Sequence, residues 1–362
     1  MTQRRTRRPK KRLKKAPVII LLLIILGIAV LIFNYCHNTA DPNNQTTIIP
    51  QNSVTGNSST ESTASQNHYF STNFLLYSGY NLSEYSIEKE ASAIKKYKKV
   101  SLQDNQLANG NLILVNTDTS YTDPPLATDL IQVNENKKDC YLVKDNSIYL
   151  APNTLESLNR WLSDAYTLGG IKDIIIWSGY RSLAEQEALY KENTGEAESE
   201  TTDTAAVGAS EHHTGYAFDM GIYENAEGKT SAAFLDDTKY SWISKNAFKY
   251  GFVQRYKNGK SSITGIVGEP WHYRYVGLPH SIIMEAKGFC LEEYISFLKN
   301  CPYDGEHLKI KLSENFNYEI YYIKPSGLFS KGIYIPKYCQ YQISGDNKSG
   351  YIVTVNLNSK TT

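Results

Sequence analysis

The chain has 362 residues, which exceeds a single average domain, so two or three segments are expected. Its net charge of +1 hides an asymmetry, because residues 1–15 carry nine Lys or Arg and no acidic residue. The rest of the chain therefore has 29 basic against 37 acidic residues, a net charge of −8. The positive charge is local, and we expect no nucleic-acid partner for the body of the protein.

The apolar run directly after the basic block predicts a membrane anchor. At 1.5 Å per residue, its roughly 19 residues nearly span a hydrocarbon core of about 30 Å. A nucleic-acid-binding arm would explain the basic residues but not this run. A cleaved signal peptide has a shorter apolar core and an Ala-x-Ala-like exit, and Phe33-Asn34-Tyr35-Cys36 provides neither that exit nor a lipobox. We expect a cytoplasmic segment at 1–16, a transmembrane anchor at 17–36 and the body outside the cell.

Residues 37–73 are predicted to be a flexible polar linker. They are dominated by Asn, Ser, Thr and Gln and show almost no apolar periodicity, so they cannot bury enough surface to offset the entropy of ordering. Such a linker lets the body move roughly 30 Å from the bilayer. That reach suits a substrate in a layer above the membrane.

Residues 74–290, with a core at 110–280, are predicted to form a catalytic domain of helices and strands. A helix is expected at 82–99, with a charged face, and another from Asn153 to Gly169-Gly170. Further helices are predicted at 182–190 and 240–250, and strands at 111–116, 131–133, 148–150, 173–178, 214–223, 252–255 and 271–276.

The C-terminal part is predicted to be rich in β-structure. A helix at 290–300 leads into the extension, residues 291–362, in which residues 307–357 alternate apolar and polar side chains between Gly and Pro breaks. We assign the chain to the α+β class, with a small, mostly antiparallel sheet and flanking helices that hold a metal site. A transmembrane helix precedes this unit and the small β-rich extension follows it.

Four of the five cysteines lie beyond the expected anchor, where disulfides can persist: Cys140, Cys290, Cys301 and Cys339. Three pairings are possible and the sequence does not choose among them. The short loop favours Cys290–Cys301, with buried free thiols as the alternative. A thiolate zinc site is not expected, since the chain has no CxxC pair.

Two short stretches gather side chains that bind metals. Residues 210–219, SEHHTGYAFD, hold two imidazoles and the carboxylate of Asp219 around one glycine, and residues 269–275, EPWHYRY, add another carboxylate and imidazole. Catalytic zinc is held by such nitrogen and oxygen ligands with one position left open. The expected ligands are Asp219, His272 and one of two adjacent histidines, His212 or His213.

Glu269 is the expected general base. It stands three residues before His272, next to Pro270, where it is placed to take a proton from water and pass it to a leaving amine. Each residue alone has a structural alternative: a histidine bonded in the core, Asp219 capping a turn, or Trp271 as a core aromatic. The joint pattern is what supports a site.

These residues carry a resemblance to a known family. Ser210-x-His212-x-x-Gly215-x-Ala217-x-Asp219, followed by Glu269-Pro270-Trp271-His272, resembles the zinc D,D-carboxypeptidases of the VanY type and their peptidase M15 relatives. Upstream, Ser178-Gly179-Tyr180-Arg181-Ser182 followed by Gln186 is similar to a third block of that family, in the expected order. The blocks span roughly residues 110–280, less than half of the chain.

The resemblance implies one zinc ion bound by His212, Asp219 and His272, with Glu269 as general base and acid toward a zinc-activated water. It selects His212 over His213, a choice that the residues alone leave open.

The resemblance also implies substrate contacts. Arg181 would face the terminal carboxylate of the substrate or the developing oxyanion, with a structural salt bridge as the alternative. Gln186 and Ser210 would contact the substrate, with helix-surface and cap roles as their alternatives. The implied substrate is a peptidoglycan stem peptide ending in D-Ala-D-Ala, on the outer face of a bacterial, Gram-positive cell membrane.

Other functions remain open. L,D-carboxypeptidases and D-Ala-D-Ala dipeptidases share the same ligands, and the sequence determines neither the choice among them nor the oligomeric state. Ser92-Ala93-Ile94-Lys95 matches the SxxK motif of serine penicillin-binding proteins, but Lys229-Thr230-Ser231 lacks the usual glycine. A non-catalytic wall-binding protein of the same fold would not need Glu269.

Overall fold

The computed structural model describes residues 86–102, 104–194, 204–223, 230–231, 239–313, 315–325 and 332–360. The predicted cytoplasmic segment, anchor and linker all lie outside these residues. Within the described ranges, no helix is long and apolar enough to cross a membrane.

Strands and helices alternate through the first two thirds of the described chain, and strands dominate the rest. The strands are β1 (Ser86–Glu90), β2 (Tyr97–Val100), β3 (Ile131–Gln132), β4 (Leu142–Val143), β5 (Tyr149–Leu150), β6 (Ile174–Ser178), β7 (Ala217–Tyr223), β8 (Thr230–Ser231), β9 (Phe252–Tyr256), β10 (Glu269–Tyr275), β11 (His307–Ser313), β12 (Phe316–Ile323), β13 (Ile333–Pro336), β14 (Cys339–Gly345) and β15 (Tyr351–Lys360). The α-helices are α1 (Val133–Asn136), α2 (Pro152–Thr167), α3 (Leu183–Thr194), α4 (Ser241–Asn246), α5 (Ser261–Thr264), α6 (His280–Lys287) and α7 (Leu291–Leu298). Single 3-10 turns lie at Asp104–Ala108, Ala127–Asp129, Glu211–Thr214 and Ala247–Tyr250.

The strands form two larger sheets and two strand pairs. The six-stranded sheet has the order β4-β6-β7-β10-β9, with β8 beside β7, and the five-stranded sheet has the order β1-β11-β12-β15-β14. The remaining pairs are β13-β2 and β3-β5. All pairings are antiparallel except β4 with β6, so the predicted combination of helices with antiparallel sheets is confirmed for the described chain.

Helix α2 supplies the core behind the six-stranded sheet, as its sequence pattern predicts. Apolar side chains at helical spacing bury one face of the helix, and Trp161 stacks on Phe252 with ring centroids 5.1 Å apart. Tyr273 of β10 meets Trp161 edge-on at 4.9 Å. Truncating Trp161 to alanine would cost about 3–5 kcal/mol. This packing holds the strands that carry the candidate site.

A second hydrophobic cluster joins the two larger sheets through α6 and α7. It contains Val253 of β9, Ile283 of α6, Ile295 of α7 and Leu308 of β11. Helix α6 was not predicted from the sequence, whereas α7 and strands β11 to β15 lie where they were expected. The proposed domain boundary at residue 290 stays a prediction.

The predicted helix at 82–99 is wrong, because this segment forms β1 and β2 instead. Its charged residues do not leave a continuous apolar stripe, and Ile87 is the β1 residue that packs against the core. Tertiary pairing decides the outcome: β1 pairs with β11, and β2 pairs with β13.

The predicted strand at 111–116 is also wrong. Its apolar residues are buried, but the segment does not pair along a neighbouring strand. Its backbone bonds to several side chains, and the amide of Leu114 donates to the carbonyl of Asp346, directly after β14. The carbonyls of Asn111 and Ile113 accept hydrogen bonds from Arg274, and the amide of Leu112 donates to Ser344.

The expected Cys290–Cys301 disulfide is absent, and both residues are buried free thiols. Cys290 caps the N-terminus of α7 and Cys301 follows its C-terminus. An eight-residue helix between them spans about 12 Å, beyond the roughly 7 Å limit between the Cα atoms of a disulfide.

Candidate metal centre

The register of the six-stranded sheet brings the three sequence blocks together. Strand β7 lies between β6 and β10, so Asp219 is directly opposite His272 on one side and Ser178 on the other. Cross-strand partners have Cβ atoms about 4.5–5.5 Å apart. Residues separated by 53 and 41 positions in sequence therefore become neighbours.

The turn before β7 aims the adjacent histidines. Glu211–Thr214 forms a 3-10 turn that ends at Gly215, which has φ +72°. An added Cβ there would lie 2.7 Å from the side chain of Leu130, so glycine is needed for both conformation and space. The predicted strand at 214–223 therefore begins only at Ala217, and its first residues belong to the turn. The turn places Nε2 of His212 3.2 Å from Oδ2 of Asp219.

The two histidines differ in which nitrogens remain available. His212 donates from Nδ1 to the carbonyl of Gly179 at 2.6 Å, which leaves the Nε2 lone pair facing Asp219. His213 donates from Nδ1 to the carbonyl of Arg181, and its Nε2 accepts from the amide of Gly208. Both nitrogens of His213 are engaged by backbone, so its surroundings do not fit a ligand.

The residues fit a divalent metal by their geometry. One nitrogen or oxygen from each of His212, Asp219 and His272 lies within 4.8 Å of the others. The Nε2 lone pair of His212 faces the carboxylate of Asp219, two acceptors that need a cation or a proton between them. On the other side, Nδ1 of His272 lies 2.9 Å from Asp219.

The electrostatic environment favours a positive charge between these groups. Burial would raise the pKa of Asp219, but the neighbouring His212 and His272 outweigh it and hold that pKa well below its usual range. Burial lowers the pKa of His212, which keeps its imidazole in the neutral form that binds metals. Burial would also lower the pKa of His272, but the nearby carboxylates of Asp219 and Glu211 raise it to about 9.

Glu269 lies at the start of β10 rather than in a turn, and its Oε2 is 3.8 Å from Nδ1 of His272. Residues three apart in a regular strand point to opposite faces. The β10–β9 pairing shifts register between Glu269 and Tyr273, and such a bulge redirects side chains. This irregularity lets the carboxylate and the imidazole face the same cleft.

Arg181 is held at the cleft by neutral partners. It donates to the side-chain oxygen of Gln186 at 2.8 Å and to the hydroxyl of Ser178 at 3.1 Å. Burial lowers its pKa, opposed by the charges of Asp219 and Glu269. Hydrogen bonds to neutral side chains do not neutralise its charge, so the guanidinium retains the ability to attract an anion.

Gln186 and Ser210 both line the cleft. Gln186 is buried rather than on the helix surface, and its amide also donates to the carbonyl of Ala205. Ser210 occupies the cap position of the 3-10 turn, but its side chain makes no capping hydrogen bond.

The cleft is small, about 150 Å³. Its wall consists of the predicted site residues together with Leu189, Thr204, Ala205, Tyr256, Ile266 and Trp271. Trp271, expected in the core, is half-buried at this wall, whereas Tyr273 is fully buried. Small aliphatic side chains beside a cation and a carboxylate suit a short polar ligand with a small apolar group.

The charged layer beneath the cleft was not predicted from the sequence. Glu211 lies inside the histidine motif and lines the cleft floor, where its Oε1 accepts hydrogen bonds from Arg255 at 2.7 Å and Arg274 at 2.6 Å. Arg255 also forms two bonds to Glu292 of α7. These partners are 44 and 63 positions from Glu211, so the presence of charged residues within apolar strands was the available clue.

Comparisons with known proteins agree with this arrangement. Residues 147–278 match the model of a family described as VanY, D-alanyl-D-alanine carboxypeptidase. The chain is 35% identical over 263 residues to a D-alanyl-D-alanine carboxypeptidase of Enterococcus faecium, covering 70% of this chain and 78% of that protein.

Two further relatives are bifunctional or dipeptidase proteins. The chain is 36% identical over 157 residues to the bifunctional D-Ala-D-Ala dipeptidase and D-Ala-D-Ala carboxypeptidase VanXYC of Enterococcus gallinarum, covering 42% of this chain and 81% of that protein. Among solved structures it is similar to the vancomycin resistance D,D-dipeptidase VanXYg in complex with a D-Ala-D-Ala phosphinate analogue, with a TM-score of 0.62 and 31% identity. That likeness covers 72% of this chain and 99% of the other.

Proposed function

This chain belongs to the VanY family of D-alanyl-D-alanine carboxypeptidases, and from that premise we propose that it removes the terminal D-Ala of peptidoglycan stem peptides. The observation that carries the proposal is the convergence of two histidines and an aspartate within 4.8 Å beside Glu269 and Arg181. The alternative SxxK pattern has little support, because the Ser92 hydroxyl bonds to Glu319 and Tyr97.

His212, Asp219 and His272 would hold one zinc ion. When bound, zinc polarises a carbonyl group and lowers the pKa of water to about 7. Neighbouring groups within this chain fix the positions of two proposed ligands. The carbonyl of Gly179 orients the ring of His212, and the β7–β10 register places His272 beside Asp219.

Glu269 moves the proton in the proposed reaction. Its carboxylate takes a proton from the attacking water as the oxygen adds to the carbonyl carbon of the penultimate D-Ala. It then delivers that proton to the nitrogen of the leaving D-Ala while the C–N bond breaks. Water is consumed, and the products are the shortened peptide and free D-Ala.

Arg181 binds the terminal carboxylate of the substrate. A guanidinium pairs with a carboxylate through two parallel hydrogen bonds, and Gln186 and Ser178 accept hydrogen bonds from the guanidinium of Arg181 and hold it in place. Ser210 offers a hydroxyl at the same wall. Together with the cleft volume of about 150 Å³, this arrangement favours a small C-terminal residue such as alanine.

The similarity to the dipeptidase VanXYg, which covers 99% of that protein, favours a second activity, hydrolysis of the free dipeptide D-Ala-D-Ala. Membrane anchoring of the catalytic part outside the cell is also proposed, from the basic segment and apolar run at 1–36. Protease treatment of intact cells should then degrade the catalytic part while leaving a short N-terminal tag protected.

The deciding experiment assays the detergent-solubilised full chain on the pentapeptide stem, the tetrapeptide stem and D-Ala-D-Ala. We expect release of D-Ala from the pentapeptide, inhibition by a chelator, recovery with zinc and no effect of a β-lactam. Cleavage confined to the tetrapeptide would instead assign L,D-carboxypeptidase activity. Chelator-resistant, β-lactam-sensitive hydrolysis would overturn the zinc mechanism.

A further inference from the structure

Two buried polar atoms face each other at the floor of the cleft without a regular hydrogen bond. Oε2 of Glu211 and Nε2 of His272 are 3.6 Å apart, and both lack a hydrogen-bond partner. The residues are 1% and 3% exposed. A buried polar atom left unpaired is costly and calls for a functional explanation.

The orientation of His272 explains why this contact matters. Its Nδ1 points toward Asp219 and Glu269, at 2.9 Å and 3.8 Å, and its Nε2 points the opposite way, toward Glu211. A metal bound with Asp219 therefore takes the Nδ1 lone pair. The neutral imidazole must then carry its proton on Nε2.

Glu211 has one oxygen free to receive that proton's hydrogen bond. Arg255 and Arg274 both donate to Oε1, and neither donates to Oε2. The two guanidinium groups thereby fix the orientation of the carboxylate. Their positive charges also hold the pKa of Glu211 far below its usual range, against the effect of burial.

From this geometry we propose that Glu211 is a positioning residue, which accepts the Nε2–H of His272 and so keeps the Nδ1 lone pair directed at the metal. The inference rests on the proposed zinc site. The proposal adds to the zinc site a chain of buried hydrogen bonds behind His272. This chain runs from Glu211 through Arg255 to Glu292 on α7.

The two histidine ligands are therefore oriented by different acceptors. His212 donates to the neutral carbonyl of Gly179, whereas His272 would donate to a carboxylate. A carboxylate partner raises the basicity of the ligand and fixes its tautomer. Arg274, two residues after His272 on β10, ties this acceptor to the same strand.

The substitution Glu211→Gln tests the proposal, because glutamine has nearly the same shape as glutamate. The two arginines can bond only to the amide oxygen, so the amide NH2 group must face His272 and donate to Nε2. His272 would then carry its proton on Nδ1, where the metal binds. We expect the affinity of the full chain for Zn2+ and for Co2+ to fall by about 10–100-fold, with an altered Co2+ absorption spectrum.

The matched control is Glu319→Gln. Glu319 is another fully buried carboxylate that accepts from a histidine, His307, but in the five-stranded sheet. This variant should lose stability and keep the Zn2+ affinity of the wild type. Equal affinities in Glu211→Gln and the wild type would overturn the positioning role.

A second measurement uses the wild type and decides the matter if Glu211→Gln does not fold. Nitrogen-15 NMR of the zinc-loaded chain, labelled at histidine, should show His272 protonated at Nε2 with a downfield proton. Its resonance is assigned by its disappearance in His272→Asn. A proton on Nδ1 would overturn the inference, whereas a wild type that binds no Zn2+ would overturn the proposed function itself.

Discussion

The protein contains two buried histidine–glutamate pairs that differ in how completely they are bonded. In the five-stranded sheet, Glu319 accepts from His307 and from the hydroxyl of Ser92, each at 2.6 Å, and from the amide of Ala93 at 2.9 Å. The second nitrogen of His307 lies 2.9 Å from the carbonyl of Tyr303. In the six-stranded sheet, Glu211 and His272 stand 3.6 Å apart, each with an unpaired atom.

The difference supports a structural role for Glu319 and His307 and the proposed positioning role for Glu211. A fully bonded buried network rigidifies the fold, and Glu319 fastens the segment after β1 to β12. An incompletely bonded pair costs about 1–3 kcal/mol, which the fold tolerates where a ligand completes the bonding. Burial and residue type are the same in both places, so bonding completeness is what distinguishes them.

The largest effect is expected from Glu269→Gln. Loss of the proton-transfer group should lower kcat on the pentapeptide by about 10²–10⁴-fold, while bound zinc measured by elemental analysis stays at the wild-type level. Glu319→Gln, measured alongside, should retain kcat. Comparable activity of Glu269→Gln and the wild type would contradict the proposed mechanism.

His212→Ala and His213→Ala should separate a ligand from its neighbour. Removing His212 should lower Zn2+ affinity by more than the roughly 10–100-fold typical of an outer partner, as measured by competition with a chromogenic chelator. His213→Ala should retain that affinity and lose stability, because its ring bonds to the backbone at Arg181 and Gly208. The reverse result would make His213 the ligand.

Arg181→Lys should weaken substrate recognition more than metal binding. Lysine keeps the charge but lacks the planar pair of donors. A charge-assisted hydrogen bond contributes about 1.5–3 kcal/mol, so kcat/KM should fall by about 10–100-fold with unchanged zinc content. An unaltered kcat/KM would favour a structural role for this arginine.

Glu319→Gln should destabilise the protein by about 1–3 kcal/mol, read as the free energy of unfolding in urea. Equal stability of variant and wild type would show that the hydrogen-bonded pair of Glu319 and His307 does not stabilise the fold. The same variant should leave zinc affinity untouched, which places this region outside the site.

The pH dependence of stability offers the smallest test. Burial would raise the pKa of Glu319, but hydrogen bonds from His307 and Ser92 outweigh it and lower that pKa below the usual 4.5. A carboxyl with a lowered folded pKa stabilises the protein above its unfolded pKa and loses that effect as the pH falls. The wild type should lose stability below pH about 4.5, and Glu319→Gln should show a shallower loss. Parallel curves would contradict this assignment.

Much of the fold followed from local pattern. The apolar period of α2 and the alternation through β11 to β15 predicted these elements, because long periodic segments specify which face is buried. The predictions for segments 82–99 and 111–116 were wrong, because the conformation of each segment depends on partners distant in sequence. These partners are β11 and β13 for the first segment and the guanidinium of Arg274 for the second.

For the site, residue types and spacing within short stretches, with the family resemblance, predicted His212, Asp219, His272 and Glu269 as a set. Their individual roles stay predictions. The tertiary structure alone showed that both nitrogens of His213 are bonded to backbone and that Glu211 faces His272. The period of the sequence determines which side chains are buried. Strand register and arginines distant in sequence determine which buried charges meet. Those contacts in turn orient the histidine rings and hence the lone pairs of their nitrogens.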